Sequence, residues 1–175
     1  MRSLLVLAAL LTTLTTSMAH AQRNSWGSGG PFGLGIILGE PSAITARYNL
    51  DKVRAIDGGI SFFYSRWTLL YIDGLYQFQG AFGRANSFFA QTTPYIGLGG
   101  VLVISDLPRR ESRRERYFSD SDSTDLAFGL RIPLGAEWRA VTAPIGVFAE
   151  IAPGLTILPG TNSFIQLGIG ARFYF

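Results

Sequence analysis

From Phe164 to Phe175 the chain alternates without a break. Ile165, Leu167, Ile169, Ala171, Phe173 and Phe175 form one row, and Phe164, Gln166, Gly168, Gly170, Arg172 and Tyr174 form the other. A period of two held over a whole segment puts successive side chains on opposite faces of a β-strand. Leu126 to Arg139 repeats the pattern, with Leu126, Phe128, Leu130, Ile132, Leu134, Ala136 and Trp138 on one face and Ala127, Gly129, Arg131, Pro133, Gly135, Glu137 and Arg139 on the other. Six further segments alternate in the same way: Phe32 to Gly39, Ala43 to Leu50, Ala55 to Tyr64, Thr68 to Phe78, Thr92 to Ile104 and Ile145 to Leu158. Between them lie turn-forming stretches such as Glu40-Pro41-Ser42, Leu50-Asp51-Lys52, Ser65-Arg66-Trp67, Val141-Thr142-Ala143-Pro144 and Pro159-Gly160-Thr161-Asn162. No helix-period stripe, internal repeat, linker or second domain interrupts them. The expected fold is all-β with eight strands.

The face opposite the apolar row decides which way such a sheet curls. It is rich in Gly and carries Arg47, Asp57, Asp73, Arg131, Glu137, Glu150 and Arg172, each in the middle of a strand. A periplasmic sandwich or a lipocalin-like soluble barrel would put the apolar row inside. A narrow membrane barrel does the reverse, with small and charged residues inside and Leu, Ile and Phe toward lipid. The 21 Gly suit a tightly curved cylinder that must house long charged side chains. Tyr48, Phe62, Tyr64, Tyr76, Phe78, Trp138, Phe173 and Phe175 fall near strand ends, where interfacial girdles belong. The pattern therefore predicts an eight-stranded antiparallel up-and-down transmembrane β-barrel over residues 22–175, with the soluble barrel as the competing reading.

The N-terminus bears on compartment. Met1-Arg2-Ser3 is basic, Leu4 to Leu14 is apolar apart from threonines, and Ala19-His20-Ala21 is an A-x-A cleavage site, which predicts a cleavable signal peptide over residues 1–21. Cleavage after Ala19 is the variant reading. An apolar run of about 11 residues falls short of the ~20 that a spanning helix needs. The chain has no Cys, and its single His is His20. A chain trimmed after Ala21 has neither residue, which excludes His-dependent triads, thiol nucleophiles and His/Cys metal sites together. No cofactor is expected. The net charge is +3, and 14 of the 15 basic residues are Arg, so nothing marks a nucleic-acid binder.

The ending Gly168-Ile169-Gly170-Ala171-Arg172-Phe173-Tyr174-Phe175 resembles the terminal strand of bacterial outer-membrane proteins, which finish in Phe after alternating apolar residues. That resemblance implies a Gram-negative outer-membrane location. It also implies that Phe173 and Phe175 serve as an assembly signal read by the barrel-assembly machinery. Gly33-Leu34-Gly35-Ile36-Ile37-Leu38-Gly39-Glu40-Pro41-Ser42 and Phe148-Ala149-Glu150-Ile151-Ala152-Pro153 look like a widespread family of small outer-membrane barrels of unassigned function, with the OmpA-type transmembrane architecture. The resemblance covers nearly all of the chain after residue 21. It brings no catalytic residues with it.

Three classes of function are open at this point. One is a non-catalytic structural or surface barrel without an open solute pore, since eight strands leave an interior just filled by side chains. Its partners would be outer-membrane lipid and lipopolysaccharide. An outer-membrane enzyme is the second, for which Asp57 with Asp73 is the one available acid/base pair, facing a filled interior. The third is a surface binding module or adhesin. With both termini periplasmic, the connection 105–124 falls on the cell surface and carries Arg109, Arg110, Arg113, Arg114 and Arg116, mixed with Glu111 and Glu115 and followed by Asp120, Asp122 and Asp125. Arginines of this kind pair with phosphates, sulfates or acidic protein patches, although the same loop also reads as solvated Arg-Glu pairs. A variant of the binding reading has Phe63, Tyr71, Phe148 and Phe164 lining an apolar ligand site at one barrel mouth.

Turn positions also predict which inward charges meet. Arg47 should face Asp57, and Asp57 should lie beside Asp73, so strands two to four hold one Arg with two carboxylates. Glu150 should face Arg172 or its inward neighbour Gly170, with Arg131 reaching the same Glu diagonally. Two buried charge clusters, structural in role, are the expectation.

Overall fold

The computed structural model describes residues 28–61, 67–83, 87–105 and 126–175. Among these, nine strands form in chain order: β1 (Phe32–Glu40), β2 (Ala43–Asn49), β3 (Arg54–Ser61), β4 (Trp67–Gln77), β5 (Thr92–Ser105), β6 (Leu126–Arg131), β7 (Leu134–Arg139), β8 (Ile145–Leu158) and β9 (Asn162–Tyr174). Each pairs antiparallel with its neighbours, and β1 pairs with β9 from Gly33↔Tyr174 to Glu40↔Leu167, so the sheet closes on itself. β6 and β7 both lie between β5 and β8 and together make one stave of the cylinder. The result is a closed barrel of eight staves.

Two details depart from the sequence expectation. The single strand expected from Leu126 to Arg139 is divided at Ile132-Pro133. Pro133 has no N–H to give to the ladder, but its carbonyl still accepts from Gly97 N at 2.8 Å and Ile132 N donates to Pro153 O at 2.8 Å, so the stave stays joined to both neighbours. The second departure is a one-turn helix, α1 (Ser87–Ala90), in the β4–β5 connection, where no helical stripe was expected. Four residues are too few to leave a periodic signature.

The alternation maps onto the two surfaces of the wall. Leu34, Ile44, Ile56, Ile72, Leu98, Leu130, Leu134, Val147 and Ile165, one from each strand, point outward and are exposed, Ile72 by 65%. Along β9 every residue of the Ile165 row is exposed, while Phe164, Gln166, Arg172 and Tyr174 are buried. The core is therefore the lumen. At the end away from the termini it is apolar, with Ile37, Ala43, Leu69, Val101, Val103, Ala127 and Phe164. Toward the terminal end come the charges and then Ala55, Leu75 and Tyr95.

Tight turns keep the staves adjacent. Between β2 and β3 the Asp51 carboxylate accepts from Val53 N at 2.8 Å and Arg54 N at 2.7 Å, an Asx-type turn that satisfies the backbone locally.

Candidate functional site: the charged lumen

The largest fully buried side chains are Arg47, Arg131 and Arg172, so the lumen is organised around three guanidinium groups. A charge taken out of water is costly unless it is paired and hydrogen-bonded. Arg47 stands directly opposite Asp57 across β2 and β3, because the Asx turn sets that register. Its Nε donates to Asp57 Oδ2 at 2.9 Å, and its Nη1 donates to Glu137 Oε2 at 2.6 Å across the lumen. Arg172, on β9, sends Nη2 to the same Asp57 Oδ2 at 2.7 Å and to Thr45 Oγ1 at 3.0 Å. Thr45 in turn donates to Asp57 Oδ1 at 3.0 Å, so Asp57 gathers three donor side chains. Glu137 also accepts from Tyr174 Oη and lies 3.6 Å from Arg139 Nε.

The second cluster is centred on Arg131. Its Nη2 pairs with Glu150, its Nη1 donates to Gln166 Oε1 at 2.6 Å, and its Nε lies 3.3 Å from Asp73 Oδ1. Tyr95 Oη completes Glu150 at 2.9 Å. Aromatic rings lie under the cations: the guanidinium carbon of Arg47 is 4.4 Å from the Tyr95 ring centre, that of Arg131 4.2 Å from Tyr71 and that of Arg172 3.6 Å from Phe148. Such stacking lets a weakly hydrated guanidinium sit in a dry interior.

Two clusters are present, but their membership differs from the sequence expectation. Asp73 does face Asp57 in the ladder, yet its cation is Arg131 on β6, one stave beyond β5, so strands two to four do not form a self-contained set. Glu150 faces Gly168, two residues from the expected Gly170, and Arg172 faces Gly146. Arg172 consequently joins Asp57 and Glu137, and the expected Glu150–Arg172 pairing is corrected. The β8–β9 turn is centred one residue earlier than assumed, at Pro159: Thr156 pairs with Asn162, and the Thr156 hydroxyl accepts from Asn162 N at 2.9 Å. Across a narrow lumen, partners four staves apart are as near as those on adjacent strands. Thr45, Tyr95, Gln166 and Tyr174 escaped the sequence reading for that reason; each sits on the inward row, but parity does not name a partner.

The aromatics expected to line an apolar ligand site are packed. Tyr71, Phe148 and Phe164 are buried in the lumen core, and Phe63 lies outside the described residues. The pocket bounded by Ile37, Tyr71, Arg131, Glu150 and Gln166 has a volume of about 10 Å³. That is the lower limit for a single water. Among the described residues, neither Asp57 nor Asp73 lines any of the pockets bounded by the staves.

Phe173 and Phe175 point outward at the terminal rim, with rings 5.0 Å apart, and Phe175 N donates to Phe32 O at 2.8 Å. Arg109, Arg110, Arg113, Arg114 and Arg116 lie outside the described residues, as do residues 1–21. The ends of their connection, Ser105 on β5 and Leu126 on β6, are at the rim opposite the termini.

These features define a class: a closed, eight-stave antiparallel β-barrel with a charge-filled lumen and an apolar outer wall. Residues 27–175 match the family described as protein of unknown function, DUF3996, and the chain belongs to it. In fold it is similar to the N-terminal β-barrel domain of Pseudomonas aeruginosa OprF, at 14% identity with a TM-score of 0.53, over 83% of this chain and 98% of that one. Neisserial surface protein A (NspA) aligns at 17% identity with a TM-score of 0.41, over 82% of this chain and 93% of that one. No curated protein sequence matches.

Proposed function

We propose that the protein is a non-catalytic β-barrel of a Gram-negative outer membrane, a structural or surface component without an open solute pore, exported by a signal peptide over residues 1–21. The observation that carries this reading is the inverted distribution of polarity. Every stave turns Leu, Ile, Val or Phe outward, and the three largest buried side chains are arginines. In water that wall would be an apolar surface far beyond the few hundred Å² that soluble monomers tolerate. In a bilayer it is the expected lipid face, and closure of the ladder leaves no unpaired strand edge.

The lumen residues Arg47, Asp57, Asp73, Arg131, Glu137, Glu150 and Arg172 have a structural role in this reading. They neutralise one another and fix register across the lumen. Heating before electrophoresis tests the barrel: the protein refolded in detergent should migrate faster unheated than boiled. An unshifted band from correctly refolded protein would sink the proposal.

Biogenesis follows from the same reading, with Phe173 and Phe175 recognised by the barrel-assembly machinery. Deleting Phe175 should lower the outer-membrane level while export, set at the other end of the chain, continues. Normal surface levels of the deletion variant would contradict this role.

A second reading concerns the connection 105–124. Its ends, Ser105 and Leu126, leave the barrel at the rim opposite the termini, which is the cell-surface side when both termini are periplasmic. Arg109, Arg110, Arg113, Arg114 and Arg116 would there bind lipopolysaccharide phosphates, sulfated glycans or acidic protein patches. Retention on heparin of the intact barrel against a loop-deleted one discriminates; equal retention removes the binding role.

A further inference from the structure

The β4–β5 connection lies at the rim that carries the termini and presents aromatic rings that the lumen does not use. Phe82, Phe88 and Phe89 are 46%, 54% and 48% exposed. They are not loose. Phe82 and Phe88 pack against Phe89 at centroid distances of 5.7 and 5.6 Å. Phe88 stacks on Trp138 at 6.2 Å with an interplanar angle of 17°.

The backbone holds this arrangement to the wall. Thr92 Oγ1 donates to Phe88 O at 2.9 Å, Arg139 N to Gln91 O at 3.1 Å and Phe78 N to Pro94 O at 2.8 Å. Gly80 and Gly83, at φ of 71° and 64°, a conformation that L side chains rarely adopt, make two successive sharp bends from Phe78 to Gly83.

Trp138 decides what the platform faces. It belongs to the outward row of β7, so a ring stacked on it lies on the outer flank of the barrel and not beneath the lumen. The outward Tyr76 and Phe78, with rings 5.2 Å apart, extend the apolar surface downward from Ile72 on β4 to the start of the same connection. The patch is thus continuous with the apolar wall. Beside it the β2–β3 turn, joined to β4 by Gln77 N donating to Val53 O at 2.7 Å, exposes Lys52 and an Arg54 guanidinium paired with Asp51 at 2.6 Å, which leaves the turn a net positive charge from Lys52. Aromatic rings backed by a cationic side chain fit one environment well: the boundary between headgroups and acyl chains of an anionic phospholipid monolayer.

We propose that the β4–β5 connection is an interfacial anchor that inserts Phe82, Phe88 and Phe89 into the phospholipid monolayer on the terminal side of the barrel. The inference rests on the membrane reading above and adds to it a particular segment and a particular depth. An anchor at this rim fixes the vertical position of the barrel in that monolayer.

The test uses a chain in which Trp26, Trp67 and Trp138 are Phe and a single reporter is introduced, either Phe88→Trp or, on the mid-wall, Ile72→Trp. Each is refolded into phosphatidylcholine–phosphatidylglycerol vesicles, and folding is checked by the heat shift. Fluorescence is then quenched with lipids brominated at shallow or deep chain positions and with aqueous acrylamide. The expected result is deep quenching at position 72 and shallow quenching at position 88, with acrylamide quenching at 88 roughly threefold or more below that of the unfolded chain. Deep quenching at 72 together with free acrylamide access at 88 would overturn the anchor and leave the membrane barrel standing. Shielding at 88 without bromine quenching would mean that protein, not lipid, covers the loop, and would also overturn it. Absence of bromine quenching at 72 would remove the membrane reading and the anchor with it.

Discussion

Asp57 is the residue on which the first charge cluster turns, because Arg47 from the adjacent β2 and Arg172 from β9 converge on one of its oxygens. Arg172→Ala takes one of them away. Asp57 keeps Arg47 and Thr45, and Glu137 keeps Arg47, Arg139 and Tyr174, but a buried carboxylate system loses a full charge that nothing replaces. The expected cost is roughly 3 to 5 kcal/mol, measured by urea unfolding of the folded barrel in vesicles. Glu150 should be indifferent to this change, since Arg131 and Tyr95 hold it independently. A double-mutant cycle of Arg172→Ala with Glu150→Gln should accordingly show no coupling.

Asp51 makes a pH prediction at the same scale. Its carboxyl is held below the usual carboxylate range, first by the Val53 backbone N–H and then by the Arg54 side chain. A depressed folded-state value means that the stabilisation is fully present above the unfolded value, near 4, and is lost as pH falls through the folded value. Stability of Asp51→Asn should depend less steeply on pH below about 4 than that of the parent. Identical acid limbs in pH-dependent unfolding would contradict this.

At the level of elements, the lumen is built from cross-strand pairs of an aromatic and a glycine. Tyr174 stands opposite Gly33, Tyr71 opposite Gly59, Tyr95 opposite Gly135, Phe148 opposite Gly170 and Phe164 opposite Gly154. In each pair a Cβ on the glycine would strike the ring. These five glycines therefore do more than admit curvature: each of them provides the floor on which a ring lies, and several of those rings sit over the arginines. Asp73 uses Gly99 in the same way. Gly170→Ala should push Phe148 off its rotamer and disturb its contact with Arg172, at a cost of about 1–3 kcal/mol by urea unfolding. An unchanged midpoint would mean that the ring has room to move. The sequence showed the inward glycines and the inward aromatics on the correct face, but which glycine lies under which ring depends on register, and register needs turn lengths that the sequence leaves uncertain by a residue or two.

For the whole molecule, the question is which solvent bathes the outer wall, and one substitution separates the answers. Ile72 sits mid-strand on β4 and is 65% exposed. In a bilayer Ile72→Arg should destabilise by roughly 2–4 kcal/mol. In water an exposed surface change of this kind falls within about 0.5 kcal/mol of neutral. Unfolding of the parent and variant in vesicles gives the difference directly, and a neutral result would count against the lipid-facing wall.

Period-two alternation with charges at mid-strand was enough, from the sequence, for an all-β chain, for the strand count to within the division at Pro133, and for which row turns inward. Those properties are local: they follow from the pleat and from the face each side chain takes. Tertiary structure alone decided the partners. Closing eight staves into a narrow cylinder brings Arg172 on β9 to Asp57 on β3 and Arg131 on β6 to Asp73 on β4, and it folds the Phe88 ring onto Trp138 outside the wall. These contacts cross the lumen or the rim, where distance is set by the radius and stagger of the barrel and not by separation along the chain.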